Sequence, residues 1–292
     1  MPKPTKKKWA QFSMPELPEV ETIARRLREG VEETPSVLGS VILKADVLWQ
    51  RSIAQPSQAE FIQQIEGSRI LDVSRRGKFL RLELDRGTLL IHLRMSGDIW
   101  LESPSAPIAL HHRLILWLTE EQTSDTRLRL AFNDPRKFGR VWLTPHPADI
   151  LDSLGPEPLS EEFTPQLFSS ILSTKRRLIK PLLMCQTFLA GLGNIYTDEA
   201  LHLACIHPLR LAHQLAESEI QRLWQAIRFV LQEGIRRNGA SIDWVYRGGE
   251  FQNAFRVVQR QGQPCFTCGT PIQRIIVGQR STYFCPHCQP SP

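Results

Sequence analysis

The chain has 292 residues, 41% of them hydrophobic, so it is long enough for two domains, and no apolar run approaches the eighteen residues of a membrane span. Its net charge of +6 is unevenly placed: the first 174 residues carry 22 Lys and Arg against 23 Asp and Glu, whereas the rest carry 14 against 7. A basic half joined to a neutral half fits a polyanion partner such as nucleic acid, and fits a merely soluble basic domain equally well.

Residues 1–13 hold Lys3, Lys6, Lys7 and Lys8 with two prolines and no apolar core, which excludes a secretory signal. The segment is short and free of arginine, unlike a transit peptide, and reads as a disordered basic tail or the product of an upstream start codon. Residues 14–21 then read Met-Pro-Glu-Leu-Pro-Glu-Val-Glu. Were Met14 the start and removed, Pro15 would be a free secondary amine with Glu16 and Glu19 one and four residues on. Such an amine condenses with a carbonyl carbon to give an iminium, and terminal α-amines titrate near pKa ~8, low enough to be partly neutral at pH 7. The same stretch begins a helix over 18–28. Pro18 suits the first helical position and Glu19 and Glu21 the positive end of the dipole, with Val20, Ile23, Ala24 and Leu27 making one apolar face.

Short apolar strands are expected at 41–43, 70–74, 79–84, 88–93, 114–118, 127–132 and 141–143, the pattern of an antiparallel β-sandwich over 14–145. Three junctions between them carry uncovered functional groups. Lys78, after Arg75-Arg76-Gly77, can reach a phosphate or a reacting centre. Met95 precedes a glycine at a strand end, and Arg136 and Phe138 sit in Asp134-Pro135-Arg136-Lys137-Phe138-Gly139. Each alone is ordinary turn chemistry; together Met95, Arg136 and Phe138 resemble a wedge for a base stack.

A proline-rich linker is expected over 146–160, then a helical domain over 161–255 with helices at 164–173, 178–188, 195–203 and 217–237. Cys185 and Cys205 fall in these helical patterns and read as buried thiols. Gly191-Leu192-Gly193-Asn194 joins two helices; it is either a plain turn or a place where Asn194 and the amides of the next helix hold a phosphate. The last domain, 256–292, contains Cys265-x₂-Cys268 and Cys285-x₂-Cys288 with sixteen residues between the pairs. Four thiolates at this spacing can close a structural zinc site around a hairpin with strands at 271–277 and 281–284; two disulfides are the alternative, disfavoured without a secretory signal. Arg280 at the hairpin tip is a phosphate clamp or a solvated turn charge. The class is α+β: a sandwich lobe with a leading helix, then a helical lobe ending in the hairpin.

Taken in order, the 14–21, 134–139 and 191–196 motifs and the paired cysteines closely resemble the bacterial formamidopyrimidine-DNA glycosylase (8-oxoguanine-DNA glycosylase) family, over essentially the whole chain after residue 13. The resemblance implies a helix–two-turns–helix element around Asn194, one structural Zn²⁺ on Cys265, Cys268, Cys285 and Cys288, and a cytoplasmic, monomeric enzyme of base excision repair acting on double-stranded DNA with oxidised bases. It further implies combined glycosylase and lyase chemistry. Pro15 would attack C1′, Glu16 would protonate the deoxyribose ring oxygen, Glu19 would support the site and Lys78 would contact phosphate and assist. Met95, Arg136 and Phe138 would fill the gap left by the flipped base, and Lys180, Asn194 and Arg280 would hold the flanking phosphates.

The chain departs from the family pattern in its leader, which blocks the Pro15 amine, and in Cys185-Gln186, where Asp is usual. It also departs at 241–255, a shortened base-capping loop followed by Val258 in place of an aromatic. Two rival readings follow. One is an endonuclease VIII-like enzyme for oxidised pyrimidines, against which Leu17 and the 134–139 loop argue. The other is a non-catalytic zinc-dependent damaged-DNA-binding protein with its amine blocked.

Overall fold

The computed structural model describes residues 14–31, 34–119, 128–241 and 248–291. The basic leader and part of the expected base-capping loop therefore lie outside the described residues.

Helix α1 (Leu17–Glu29) begins where Pro18 and the acids place it: the Glu16 backbone N–H donates to Glu19 Oε2 at 2.7 Å, and Val20, Ile23, Ala24 and Leu27 are buried. Beyond it, β1 (Val41–Val47), β2 (Ile53–Gln55), α2 (Gln58–Ile65), β3 (Ile70–Arg76), β4 (Phe79–Leu84), β5 (Gly87–His92), β6 (Asp98–Glu102), β7 (His112–Thr119), β8 (Leu128–Asn133) and β9 (Arg140–Thr144) build two sheets. Their orders are β1-β7-β8-β6 and β2-β9-β5-β4-β3. All pairs are antiparallel except β2 with β9, a parallel pair the alternation did not predict. Leu114 and Leu116 of one sheet share a core with Leu80, Leu82 and Leu89 of the other and with the α1 face.

The second half holds α3 (Ala148–Leu151), α4 (Pro165–Ser173), α5 (Ile179–Leu183), α6 (Asn194–Leu203) and α7 (Glu217–Arg236), then the hairpin β10 (Gln273–Val277) and β11 (Arg280–Phe284). The helix expected over 178–188 stops at Leu183. Past it the Gln186 side chain takes over from the helical ladder, donating to the Met184 and Leu192 carbonyls and accepting from the Gly191 N–H. Cys185 is half-buried and Cys205, just past the end of α6, is exposed, so neither is the buried helical thiol the pattern suggested.

A second core surrounds α6, and Leu17 belongs to it although it opens α1. Full burial of a leucine contributes about 1.5–3 kcal/mol, so the residue after Glu16 helps fix α1 onto the helical half. Glu157 adds a polar tie, with ion pairs to Arg75 at 2.6 Å and Arg76 at 3.0 Å that lock the β3–β4 turn. Among the described residues no helix is long and apolar enough to cross a membrane.

Candidate active site and nucleic-acid interface

Glu16 is 1% exposed and stands at the N-terminus of α6. Its Oε2 accepts the Gly193 N–H at 2.6 Å and its Oε1 the Ile195 N–H at 2.9 Å, while the Leu17 N–H donates to the Gly191 carbonyl at 3.0 Å. A Cβ on Gly193 would collide with the Glu16 carboxyl carbon, and one on Gly191 would come within 2.5 Å of Leu17. The glycines thus let α1, not a phosphate, approach the start of α6, and these amides are already taken by a carboxylate. Of the two expectations for the turn, the Gly193 and Ile195 amides therefore follow the one without a phosphate.

Glu19 lies behind Glu16. Its Oε1 accepts from Tyr196 Oη at 2.7 Å and from the Ala240 N–H at 2.7 Å, and its Oε2 receives the Glu16 N–H. Burial pushes the Glu16 carboxyl up from 4.5 to about 7, against the opposing charge of Lys78 and the amide bonds. Burial likewise raises Glu19, and it pushes the Lys78 ammonium down against the pull of Glu16 and Glu19. Glu16, Lys78, Met95, Asn194 and Arg280 share the wall of one cavity of about 350 Å³. Met14 lines it too, and Pro15, between the two lining residues Met14 and Glu16, is buried.

Met95, in the β5–β6 turn, is half-buried at the cavity rim. The 134–139 loop between β8 and β9 stands beside it. Buried Asp134 receives Ser96 Oγ on one oxygen and the Gly139 N–H at 2.7 Å on the other, which staples the two turns together. Phe138 is 47% exposed, with the Arg136 guanidinium 4.9 Å from its ring centre, so the apolar tip and the cation are held as one unit.

The groups expected to hold phosphates are arranged unequally. Arg280 is exposed at the β10–β11 tip, where Gly278 and Gln279 both have positive φ, as a two-residue hairpin turn needs. Asn194 Nδ2 donates to the Ser281 carbonyl at 3.0 Å, and its Oδ1 is buried with no hydrogen-bond partner among the described residues. Lys180 is 1% exposed. Its ammonium meets Asp198 at 2.6 Å, Thr282 Oγ1 at 2.7 Å and the Ser281 carbonyl at 3.0 Å. Its expected contact with phosphate therefore gives way to a structural role beneath the hairpin.

The Sγ atoms of Cys265, Cys268, Cys285 and Cys288 all lie within 4.8 Å of one another, and none forms a disulfide. Cys268–Cys285 at 3.4 Å and Cys265–Cys288 at 3.9 Å bracket the ~3.8 Å that tetrahedral Zn–S bonds of about 2.3 Å require. The Thr267 and Cys288 amides point at Cys265 and Cys285 sulfurs, both at 3.4 Å, as in a metal knuckle.

Three family models cover this architecture in order: the formamidopyrimidine-DNA glycosylase N-terminal domain over 14–141, its H2TH domain over 154–245, and the zinc finger found in FPG and IleRS over 262–290. The chain belongs to the formamidopyrimidine-DNA glycosylase family. Relatives bearing that name include those of Symbiobacterium thermophilum, 42% identical over 96% of this chain and 90% of theirs, and Chloroflexus aurantiacus, 45% identical over 94% and 98%. Among solved structures, a Lactococcus lactis FPG mutant bound to Fapy-dG-containing DNA superposes with TM-score 0.86 at 37% identity, over 95% of this chain and 100% of the other. The L. lactis enzyme bound to abasic-site DNA gives 0.85 at 36%, over 94% and 100%.

In this family member, several site residues carried no signal in the sequence reading. Tyr196 positions Glu19, Ser96 couples the two loops, and His92 sits buried beside Phe79 at 4.8 Å between ring centres. Burial, then the charges of Arg94 and Lys78, push His92 down to about 3, so it is neutral near Lys78 at pH 7. Tyr196 lay inside the Gly191–Tyr196 motif, but its partner is 177 residues away and no local pattern shows that.

Proposed function

We propose that the chain beginning at Pro15 is a bifunctional DNA glycosylase and AP lyase that excises oxidised purines from double-stranded DNA. The observation carrying this reading is the Glu16 carboxyl, buried next to Pro15 at the cavity wall and titrating near neutrality, where it can both donate and accept a proton.

The free Pro15 nitrogen attacks C1′ of the extruded nucleotide, the glycosidic bond breaks and its electron pair leaves with the base, which takes up the proton that the Pro15 nitrogen gives up. Glu16 gives its proton to the ring oxygen as C1′–O4′ opens, leaving an iminium between Pro15 and C1′. The iminium draws electrons from the sugar, so loss of a C2′ proton expels the 3′ phosphate. A second elimination expels the 5′ phosphate, and water then returns the amine. Glu19 holds Glu16 in place, and Lys78 offers a cation to the lesion's phosphate. Met95, Arg136 and Phe138 enter the space the base vacates. Asn194 and Arg280 face the flanking phosphates. Cys265, Cys268, Cys285 and Cys288 would hold one structural Zn²⁺, which organises the hairpin and takes no part in bond breaking.

Duplexes containing 8-oxoguanine opposite cytosine or thymine glycol test the substrate class. Faster release of the purine, with strand cleavage on both sides of the lesion, is expected; faster release of the pyrimidine would overturn the choice. Arg280→Ala is expected to weaken binding to all duplexes and to lower the salt dependence, d log K/d log[salt], by about 1, as loss of one phosphate contact requires. An unchanged slope in a salt titration would remove Arg280 from the phosphate path.

A further inference from the structure

The cysteine cluster has a neighbour outside the Cys-x₂-Cys motifs. His202, on the last turn of α6, is 3% exposed, and its Nε2 lies 3.5 Å from Cys265 Sγ. Its Nδ1 is buried with no hydrogen-bond partner among the described residues. A neutral imidazole carries one N–H. If Nδ1 carried it, Nε2 could only accept, and a metal-held thiolate has no proton to give. If Nε2 carries it, the ring donates to sulfur and the bare nitrogen is the one left without a partner.

We propose that His202 is a positioning residue for the metal: Nε2–H donates to the Cys265 thiolate and ties the finger to α6. The proposal rests on the reading of the four cysteines as a zinc site. Four thiolates around one divalent cation carry net negative charge, which N–H donors to sulfur disperse, and outer donors of this kind slow metal loss. The same helix holds the finger at two further points. Asp198 accepts the Tyr283 N–H at 2.9 Å, and Glu199 accepts the amides of Arg256, Val257 and Val258 at 2.8–3.0 Å. At its other end α6 cradles Glu16. One rigid element thus sets the finger that carries Arg280 in register with the catalytic carboxyl.

Metal content and ¹⁵N-histidine NMR of the zinc-loaded chain test this directly. One zinc per chain with His202 protonated at Nε2 is expected. One zinc with His202 protonated at Nδ1 overturns this proposal alone, and a chain that takes up no metal overturns the zinc reading with it. His202→Phe fills the space without a donor and should release zinc to a chromogenic chelator roughly 10–100-fold faster. His202→Gln keeps an N–H and should stay near the wild-type rate. The Co²⁺-loaded Phe variant should also show a shifted sulfur-to-metal charge-transfer band. Wild-type release rate and band in the Phe variant would overturn the proposal, and should that variant fail to fold, the wild-type tautomer still decides.

Discussion

Glu16→Gln, placed in the chain that begins at Pro15, is expected to slow base excision by roughly 10²–10⁴-fold, the usual contribution of a positioned general acid. The variant keeps the side-chain volume. Its amide, however, can accept at only one atom, while two amides, Gly193 and Ile195, donate to the site. One of those N–H groups would face an NH₂, at a cost of about 1–3 kcal/mol, partly offset because no charge needs burying. Binding to duplex DNA should survive. The decisive contrast is a preformed abasic site, where the sugar already opens to an aldehyde without ring protonation. Lyase activity there should fall far less than excision, as single-turnover rates on the two substrates will show. Excision at the wild-type rate would deny Glu16 the role.

The pH dependence of the same group has a fixed sign. Its folded pKa is raised from 4.5 to about 7, so the folded state binds more protons than the unfolded chain across that window. The stability it contributes is therefore full below 4.5 and is lost as pH rises through about 7. The excision rate should also fall above about 7 as the proton donor is depleted. Both slopes should flatten in the Gln variant, measured by denaturant titration and by rate against pH.

How much of this was legible depends on whether the cause is local. Strand β4 alternates buried Leu80, Leu82 and Leu84 with half-buried neighbours, and its period of two reads directly. Helix α1 carried its start in Pro18 and its face in Val20, Ile23, Ala24 and Leu27. Strand β6 hid because it buries Asp98 and Ile99 side by side at a sheet edge, so nothing alternates. Helix α2 was missed although its signal was present: Ser57 and Glu60 cap each other, one turn before buried Phe61 and Ile65.

The site shows the same division. The 14–21 motif, the exposed Phe138 beside Arg136 and the four clustered cysteines are visible in residue type and spacing. Lys180, Asp198, Glu199 and His202 are not, because a charge or imidazole on a helix reads as solvent-facing unless the distant partner is known. Apart from the Lys180–Asp198 pair, the partners lie 57 to 102 residues on, in the segment after α7 and in the hairpin. For the same reason the glycines at 191 and 193 leave a plain turn and room for a ligand equally open in the sequence. Only the fold reveals that α1, from the opposite end of the chain, fills that room.

The largest effect expected of any change to this protein comes from the thirteen residues ahead of Met14. An amide nitrogen has its lone pair committed to the peptide bond and cannot add to C1′, so the leader-bearing chain should give no borohydride-trapped DNA adduct. The chain starting at Pro15 should trap readily, with the modified peptide mapping to residue 15. The family model begins its match at residue 14, and Met14 lies against the cavity, so cleavage after it would bare the amine where Glu16 waits. Lys78 sharpens the experiment, because it too is an amine at this wall with its ammonium destabilised by burial. Adduct from the full-length chain mapping to Lys78 would make the lysine the nucleophile. A Pro15-initiated chain that binds damaged duplex but never traps would leave a binding protein whose carboxyl has no amine to serve.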